Sequence, residues 1–392
     1  MRKFHLERLN LEKIKLGEKP LHLKKDNYSI PMSQNGYLIQ ENGKKIGTKG
    51  DFYTKQIIDM ILQEGTLDHN PRPHYIDFFE DATYDEKENI ILTREGERVS
   101  LGKMDSLHPN EKGIEVFSPA HTLSVNQGIE CRYDLSKGES PMITLRPIAI
   151  KASIAEILWI YQKESNDLVL FDELLGKNTW EKDHTIHNWW KDWAIRDSHG
   201  NYFLNKDNHP TIGSCYGKTV QRRHMLKQEV IEAIRNNPDG RRNIACLWQQ
   251  DDFLDTHGLK PCAFLTIWNV RHGWDGKDYL DMTMVQRSSD FLTAGCINQV
   301  QYASLQKMVA QSLHLQAGVF TWKPVNVQIY DRHIDQAIEM MEREPVDCRA
   351  EIVCDERKES FDDFESGDIQ IMDYPREYIK KKNPQLKFPL GI

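Results

Sequence analysis

The sequence predicts an α+β fold, and three observations carry that expectation. Four segments rich in β-branched and aromatic residues read as strands: NIACLW (243–248), CAFLTIWNV (262–270), YLDMTMVQR (279–287) and VNVQIY (325–330). Between the last two, QVQYASLQKMVAQSL (299–313) repeats its apolar residues at helical spacing. Upstream, SIAEILWIYQ (153–162) is apolar on nearly every face, with Ile154, Ile157, Leu158 and Tyr161 at i, i+3, i+4 and i+7, which predicts a buried helix.

The remaining elements follow in order. Residues 1–49 are rich in Lys, Leu and Asn, carry no catalytic signature, and read as an accessory extension. YTKQIIDMILQEG (53–65) has helical spacing and ends at Gly65, followed by the loop HNPRP that contains Arg72. From about 74 to 113 the chain turns acidic and Gly/Asn-punctuated, with the strand candidates ENIILT and RVSLG, and predicts a hairpin inserted into a catalytic domain spanning 50–392. The stretch 165–212, crowded with Trp, His and charge, fits no single pattern. LKQEVIEAIRNN (226–237) predicts a helix closed by the turn NPDG. The tail from Asp355 is acidic and Lys-rich and ends in the apolar FPLGI.

Bulk properties narrow the function classes. The 392 residues are 39% apolar, enough for one large domain or two ordinary ones. No run of about 18 apolar residues is present, and the start MRKFHLERLNLEK lacks a secretory core, so a soluble, cytoplasmic protein with no membrane partner is expected. Seven scattered cysteines with no CxxC pair indicate neither a disulfide framework nor a thiol zinc site. A net charge of −8 argues against general duplex binding, so no nucleic acid is required, while a local phosphate pocket stays open.

Several residues are chemically out of place. Cys262 opens a buried strand; packing alone explains many such cysteines, but the next strand ends in QRSSD, where Gln286, Arg287, Ser288 and Asp290 crowd against an apolar run. Polar groups in that setting are costly without partners, and a shared anionic ligand would supply one. Arg287 is expected to lower the pKa of a nearby thiol and so favour the reactive thiolate. Glu156 lies in the apolar helix, where it is either a structural salt bridge or a general acid/base whose pKa burial has raised. Arg241 and Arg242 directly follow a turn and read as a solvated pair or as anion ligands; Arg72 stands likewise. No glycine motif for dinucleotides or triphosphates occurs, and Asp183, His184 and His187 do not match a metal-binding spacing, so no metal is expected. Trp180, Trp189, Trp190 and Trp193 form either packed core or an aromatic wall for a flat ligand.

Taken in order, these pieces resemble the thymidylate synthase family, which includes the phage pyrimidine hydroxymethylases. The order runs from Arg72 through Glu156 in AEILW, Tyr216 in IGSCYGK, Arg241-Arg242 in PDGRR and Cys262 in LKPC, to QRSSD, Asn298 and QIYDRH. The resemblance covers roughly 50–75 and 114–392. It implies a large mixed sheet flanked by helices, packed against a second copy in a homodimer, and two substrates, dUMP and 5,10-methylenetetrahydrofolate. Cys262 would add to C6 of the pyrimidine, making C5 a carbon nucleophile toward the iminium form of the folate. Glu156 and Tyr216 would organise water and proton transfers. Arg72, Arg287 and Ser288 would hold the phosphate, joined by Arg241 and Arg242 from the second subunit, with Gln286 also on the substrate. Gln328 and Tyr330 would meet the sugar, and Asp290 the pterin, with Trp190 and Trp193 nearby. Asn298 can accept from uracil N3–H and donate to O4, so the resemblance implies deoxyuridylate rather than deoxycytidylate.

Three departures bear on the product. Ala263 follows the nucleophile where the synthases have His, Gln328 replaces a sugar-binding His, and Ile267-Trp268 replace a polar-aromatic pair, which is expected to alter the pocket beside O4 and C5. With these departures and the large insertion, the chain is expected to be a hydroxymethylase, in which water traps the methylene intermediate. Thymidylate formation is the alternative, and a non-catalytic nucleotide- or RNA-binding relative is a second one.

Overall fold

The computed structural model describes residues 45–68, 121–126, 128–177, 180–197, 201–254 and 259–388, with the strand segments 38–39, 83–84, 89–94 and 97–103. Helix α1 (Lys49–Glu64) starts at a capping box in which the Thr48 side chain and Asp51 satisfy each other's backbone N–H. It stops at Gly65, as its sequence predicts. Asp51 does more than cap: wholly buried, its carboxylate also accepts from the Thr144 amide at 2.6 Å and the Thr144 hydroxyl at 2.8 Å, tying the helix to a distant loop.

The centre of the molecule is a seven-stranded mixed sheet. Its strands are β1 (Thr66–Leu67), β2 (Thr122–Asn126), β3 (Cys131–Asp134), β4 (Asn243–Cys246), β5 (Ala263–His272), β6 (Asp278–Asp290) and β7 (Gln316–Tyr330). The spatial order is β1-β2-β7-β6-β5-β4, with β3 also on β7. β6 and β7 are parallel; the other pairs are antiparallel. The parallel pair needs a crossover, and α3 (Cys296–Ser312) supplies it. The last two strands outrun the segments read from sequence, because β7 is held on one side by β6 and on the other first by β3, then by β2.

Helix α2 (Ile150–Tyr161) is buried from Ser153 to Tyr161, as its all-round apolar character predicts, and packs on α3. The Tyr161 and Tyr302 hydroxyls meet at 3.1 Å across that contact. The helix expected at 226–237 is divided: Lys227–Glu232 is π-helical and Ala233–Asn236 is α. Within residues 74–113, Asn89–Arg94 and Glu97–Lys103 pair as an antiparallel hairpin, with Thr83–Tyr84 as a third strand. No helix among the described residues is long and apolar enough to cross a membrane.

One irregularity places the site. The β5–β6 register runs Ala263↔Gln286 and then Leu265↔Val285, so Phe264 is an extra residue in β5. This bulge separates the start of the strand from the regular run through Thr266 and Trp268.

Candidate active site

Cys262 stands immediately before β5 and is half-buried. Its carbonyl accepts from the Arg287 amide at 2.9 Å, and its own amide donates to the Tyr216 hydroxyl at 3.3 Å. The Arg287 guanidinium folds back over this turn: Nε donates to the Pro261 carbonyl and Nη2 to the Lys260 carbonyl, each at 2.9 Å, and Nη2 lies 3.6 Å from the Cys262 sulfur. The Trp248 ring supports the guanidinium from 5.3 Å. Arg287 does lower the thiol pKa as expected, but it is outweighed. Burial pushes it up, the Arg287 charge opposes that, and Asp290 adds to it, so the net direction is upward. Arg287 softens the cost of a thiolate without making it the resting form.

Tyr216 reaches Cys262 from a strained turn, with φ of +47°, followed by Gly217. A Cβ at 217 would fall 1.9 Å from the Ser165 carbonyl oxygen, so only glycine lets the backbone pass. The Tyr216 ring packs edge-on against Trp190 at 4.9 Å.

Glu156 is buried on α2, and no salt bridge accounts for it among the described residues. Its partners are neutral N–H groups: Oε1 accepts from Trp190 Nε1 at 2.5 Å and Trp189 Nε1 at 3.1 Å, and Oε2 accepts from Gln301 Nε2. Burial raises its pKa, and these three donors pull it back only in part. That is the balance a proton-transferring carboxyl needs.

Asn298, half-buried near the start of α3, accepts from Gln286 Nε2 at 3.1 Å through Oδ1 and donates through Nδ2 to Gln301 Oε1 at 2.9 Å. Gln286, expected on the substrate, is 1% exposed and sits behind Asn298, its amide taken up by Trp322, the Ser288 carbonyl and Asn298. Ser288 Oγ meets Gln328 Oε1 at 3.2 Å, and Gln328 lies opposite Asp290 in the parallel register. Tyr330 closes that strand, its ring 5.6 Å from the His333 ring. Asp290 is half-buried with its Oδ1 shielded from solvent; desolvation raises its pKa against hydrogen bonds from Thr293 and the charges of His333 and Arg146, and Oδ1 has no hydrogen-bond partner among the described residues. Trp193 packs edge-on against Trp190 at 5.6 Å, completing an indole cluster with Trp159.

The sequence-predicted residues therefore fall into one continuous set of contacts. It runs from Arg287 and Cys262 through Tyr216, Trp190 and Glu156, then by way of Gln301 to Asn298, Gln286, Ser288 and Gln328. Arg241 and Arg242 lie elsewhere. Both are exposed, just before β4, where Asn243 pairs with Trp268. At about 3.3 Å per residue along β5 that is roughly 20 Å from Cys262. Arg242 lines a groove of about 420 Å³ with Arg223, Glu229, Ile244, Cys246 and Gln249. Arg72 lies outside the described residues. The same register corrects the expectation for Ile267 and Trp268: they are too far along β5 to shape a pocket at Cys262, and Trp268 is wholly buried, its indole donating to Thr266. Asp183 caps the Thr185 amide, and no cluster of three or more His, Cys, Asp or Glu suited to a metal occurs among the described residues. Sequence reasoning missed Gln301, and it singled out Trp189 as core or aromatic wall but not as a donor to Glu156. Gln301 was findable, since i and i+3 on α3 put it on the same face as Asn298.

A family profile described as thymidylate synthase matches residues 114–386 of this chain. The chain belongs to the thymidylate synthase family. Thymidylate synthase of Streptococcus gordonii is 36% identical over 346 residues, 88% of this chain and all of that protein. Its counterpart from Streptococcus sanguinis is 40% identical over 266 residues, 68% of this chain and 85% of that one. The structure of thermostable thymidylate synthase A from Bacillus subtilis superposes with a TM-score of 0.61 at 25% identity, covering 87% of this chain and 99% of that one. The expected α+β fold, with a mixed sheet flanked by helices, is thus the fold of the family, and the chain is an enzyme of the one-carbon transferase type. The expected hydroxymethylase finds no counterpart in these relatives, which carry the synthase name.

Proposed function

We propose that this enzyme transfers a one-carbon unit from 5,10-methylenetetrahydrofolate to C5 of dUMP and yields thymidylate. The observation that carries the reading is the Cys262 sulfur 3.6 Å from the Arg287 guanidinium, at one end of a contact chain whose other end is Asn298. Addition of the sulfur to C6 pushes an electron pair toward C5 and O4, where the Asn298 amide is suited to hold the uracil N3–H and O4. Because burial favours the neutral thiol, Arg287 must stabilise the attacking thiolate as substrate arrives. Glu156 and Tyr216 are the groups beside this path able to hold and pass protons and to order water. Arg287 and Ser288, with Arg72, would hold the phosphate, while Gln328 and Tyr330 would meet the sugar. Arg241 and Arg242, exposed and remote from their own Cys262, suit donation to a partner subunit's phosphate in a homodimer.

The folate supplies a one-carbon unit at the oxidation level of formaldehyde. The residues fit it: Asp290 holds a buried acceptor oxygen with no partner among the described residues, suited to a pterin N–H, and the half-buried Trp193, backed by the buried Trp190, offers flat apolar surface.

The relatives' names favour the reductive outcome. A second reading, hydration to 5-hydroxymethyl-dUMP, draws on Ala263, a buried apolar residue directly after the nucleophile at the position where the synthases have His. Ile267 and Trp268 no longer support it. With dUMP and methylenetetrahydrofolate as substrates, dihydrofolate formed in step with nucleotide product is expected. Nucleotide product with tetrahydrofolate alone would overturn thymidylate formation in favour of hydration. Absence of tritium release from [5-³H]dUMP would overturn both and leave a non-catalytic binder.

A further inference from the structure

We propose that Gln301 is a positioning residue with two duties: it fixes which way the Asn298 amide faces, and so makes the site select uracil over cytosine, and it aligns Glu156. This rests on the reading above, in which Asn298 meets the base and Glu156 handles protons.

An amide is ambiguous, since turning it over exchanges donor and acceptor; its direction has to be imposed by neighbours with only one role. Here both neighbours of Asn298 are themselves imposed upon. Gln286 receives the Trp322 indole N–H at 2.9 Å on Oε1 and gives its Nε2 to the Ser288 carbonyl at 3.0 Å. An indole can only donate and a carbonyl can only accept, so Gln286 must present its N–H to Asn298. On the other side, Gln301 Nε2 donates to the Ser153 carbonyl at 3.1 Å and to the Glu156 carboxylate, so its oxygen must face Asn298. Gln286 and Gln301 are 1% and 3% exposed, which removes water as a competing partner.

Asn298 is thus held with Oδ1 toward one amide and Nδ2 toward the other. Each atom has one hydrogen-bonding position left, an acceptor and a donor side by side. Uracil complements that pair through N3–H and O4; cytosine, with an acceptor at N3 and a donor at N4, would demand the reversed amide. Reversal would set N–H against N–H at Gln286 and oxygen against oxygen at Gln301, in a buried setting where unmatched groups are costly. The chain is anchored at one end by the donor-only Trp322 indole and at the other by the acceptor-only Ser153 carbonyl. The titratable groups facing Glu156 are the Tyr216 and Tyr302 phenols, both pushed well above their ordinary range by burial, so they stay neutral wherever Glu156 titrates.

Two variants separate the duties. Gln301→Met removes both contacts and leaves Gln286 alone to hold the direction of the Asn298 amide. Gln301→Glu keeps an oxygen for Asn298 but places a carboxyl where Glu156 had a donor. The measurements are tritium release from [5-³H]dUMP and from [5-³H]dCMP, and the pH profile of kcat. For Gln301→Met, the preference for dUMP over dCMP in kcat/KM is expected to fall by about tenfold or more. For Gln301→Glu, that preference stays within about threefold of wild type, while the acidic limb of the profile moves to higher pH. A uniform fall in kcat in both variants, with base preference and limb unmoved, would overturn the proposal. If Gln301→Met does not fold, an unmoved limb in Gln301→Glu is sufficient to overturn it. Failure of wild type to release tritium would instead overturn the functional reading, a distinct result.

Discussion

Removing the charge of Arg287 should slow chemistry at Cys262 by an amount the geometry sets. The guanidinium nitrogen is 3.6 Å from the sulfur. Two unit charges at that distance interact by about 1 kcal/mol in a water-like medium and about 5 kcal/mol at an effective dielectric of about 20. Cys262 is half-buried, so solvent screening brings the useful figure toward the low end, about 1–2 kcal/mol. In Arg287→Gln the thiolate fraction at neutral pH should fall about 5- to 30-fold. The assay is iodoacetamide alkylation followed peptide by peptide across pH, with the buried Cys131, Cys215 and Cys296 as internal controls. The sign follows from the acid: losing a positive neighbour raises the thiol pKa further, so alkylation in the variant lags at neutral pH and converges with wild type above both midpoints. Arg287→Lys keeps a charge and should lag less, yet it loses the two-pronged grip on the Lys260 and Pro261 carbonyls and should still lower kcat/KM about tenfold. Alkylation of Arg287→Gln as fast as wild type over the whole range would refute the reasoning, because the contact would then have no electrostatic role.

Other expectations follow from the same coordinates. Asn298→Asp should shift preference toward dCMP, as its protonated carboxyl can offer the donor that cytosine N3 requires; unchanged selectivity in competitive turnover would mean the base is read elsewhere. Trp190→Phe removes one of three donors to the ionised Glu156, so the acidic limb of kcat against pH should move upward, and a limb that stays or moves down would refute the assigned role. Mixing equal amounts of inactive Cys262→Ala and inactive Arg241→Ala/Arg242→Ala chains should restore about a quarter of wild-type activity, since half the dimers are mixed and each carries one complete site; no recovery would exclude sharing across subunits. Asp51→Ala leaves the amides of Thr48 and Thr144 and the Thr144 hydroxyl without their acceptor, at a cost of about 3 kcal/mol or more in denaturant unfolding, and a loss below about 1 kcal/mol would contradict its place as a tie between α1 and the core.

What the chain of residues revealed, and what it hid, divides along the range of the interactions. Helix α2 was legible because burial on all sides leaves an unbroken apolar run, and Cys262, Arg287 and Asn298 because local motifs carry them. The length of β7 was not, since Gln316–Pro324 is strand only through its neighbours on both edges. The turn to π-helix at Lys227–Glu232 has no local signal either. Arg287 was rightly placed at Cys262 but wrongly weighted, because the sign of the thiol shift depends on burial, which sequence does not give. Trp268 misled for a related reason: its distance along the chain from Cys262 is short, and its distance along an extended strand is not. Gln301 looked like one more helix glutamine until three partners gave each of its atoms a direction.

The Phe264 bulge gives the two parts of β5 independent in-and-out rhythms. Beyond it, Thr266 and Trp268 keep their inward phase through pairing with β4 and β6, whatever happens upstream. Before it, the thiol's bearing depends on a single supernumerary residue, so gaining or losing one residue there would swing the sulfur away from the guanidinium without unseating an indole. The molecule can thus be silenced by an edit to which its architecture is indifferent.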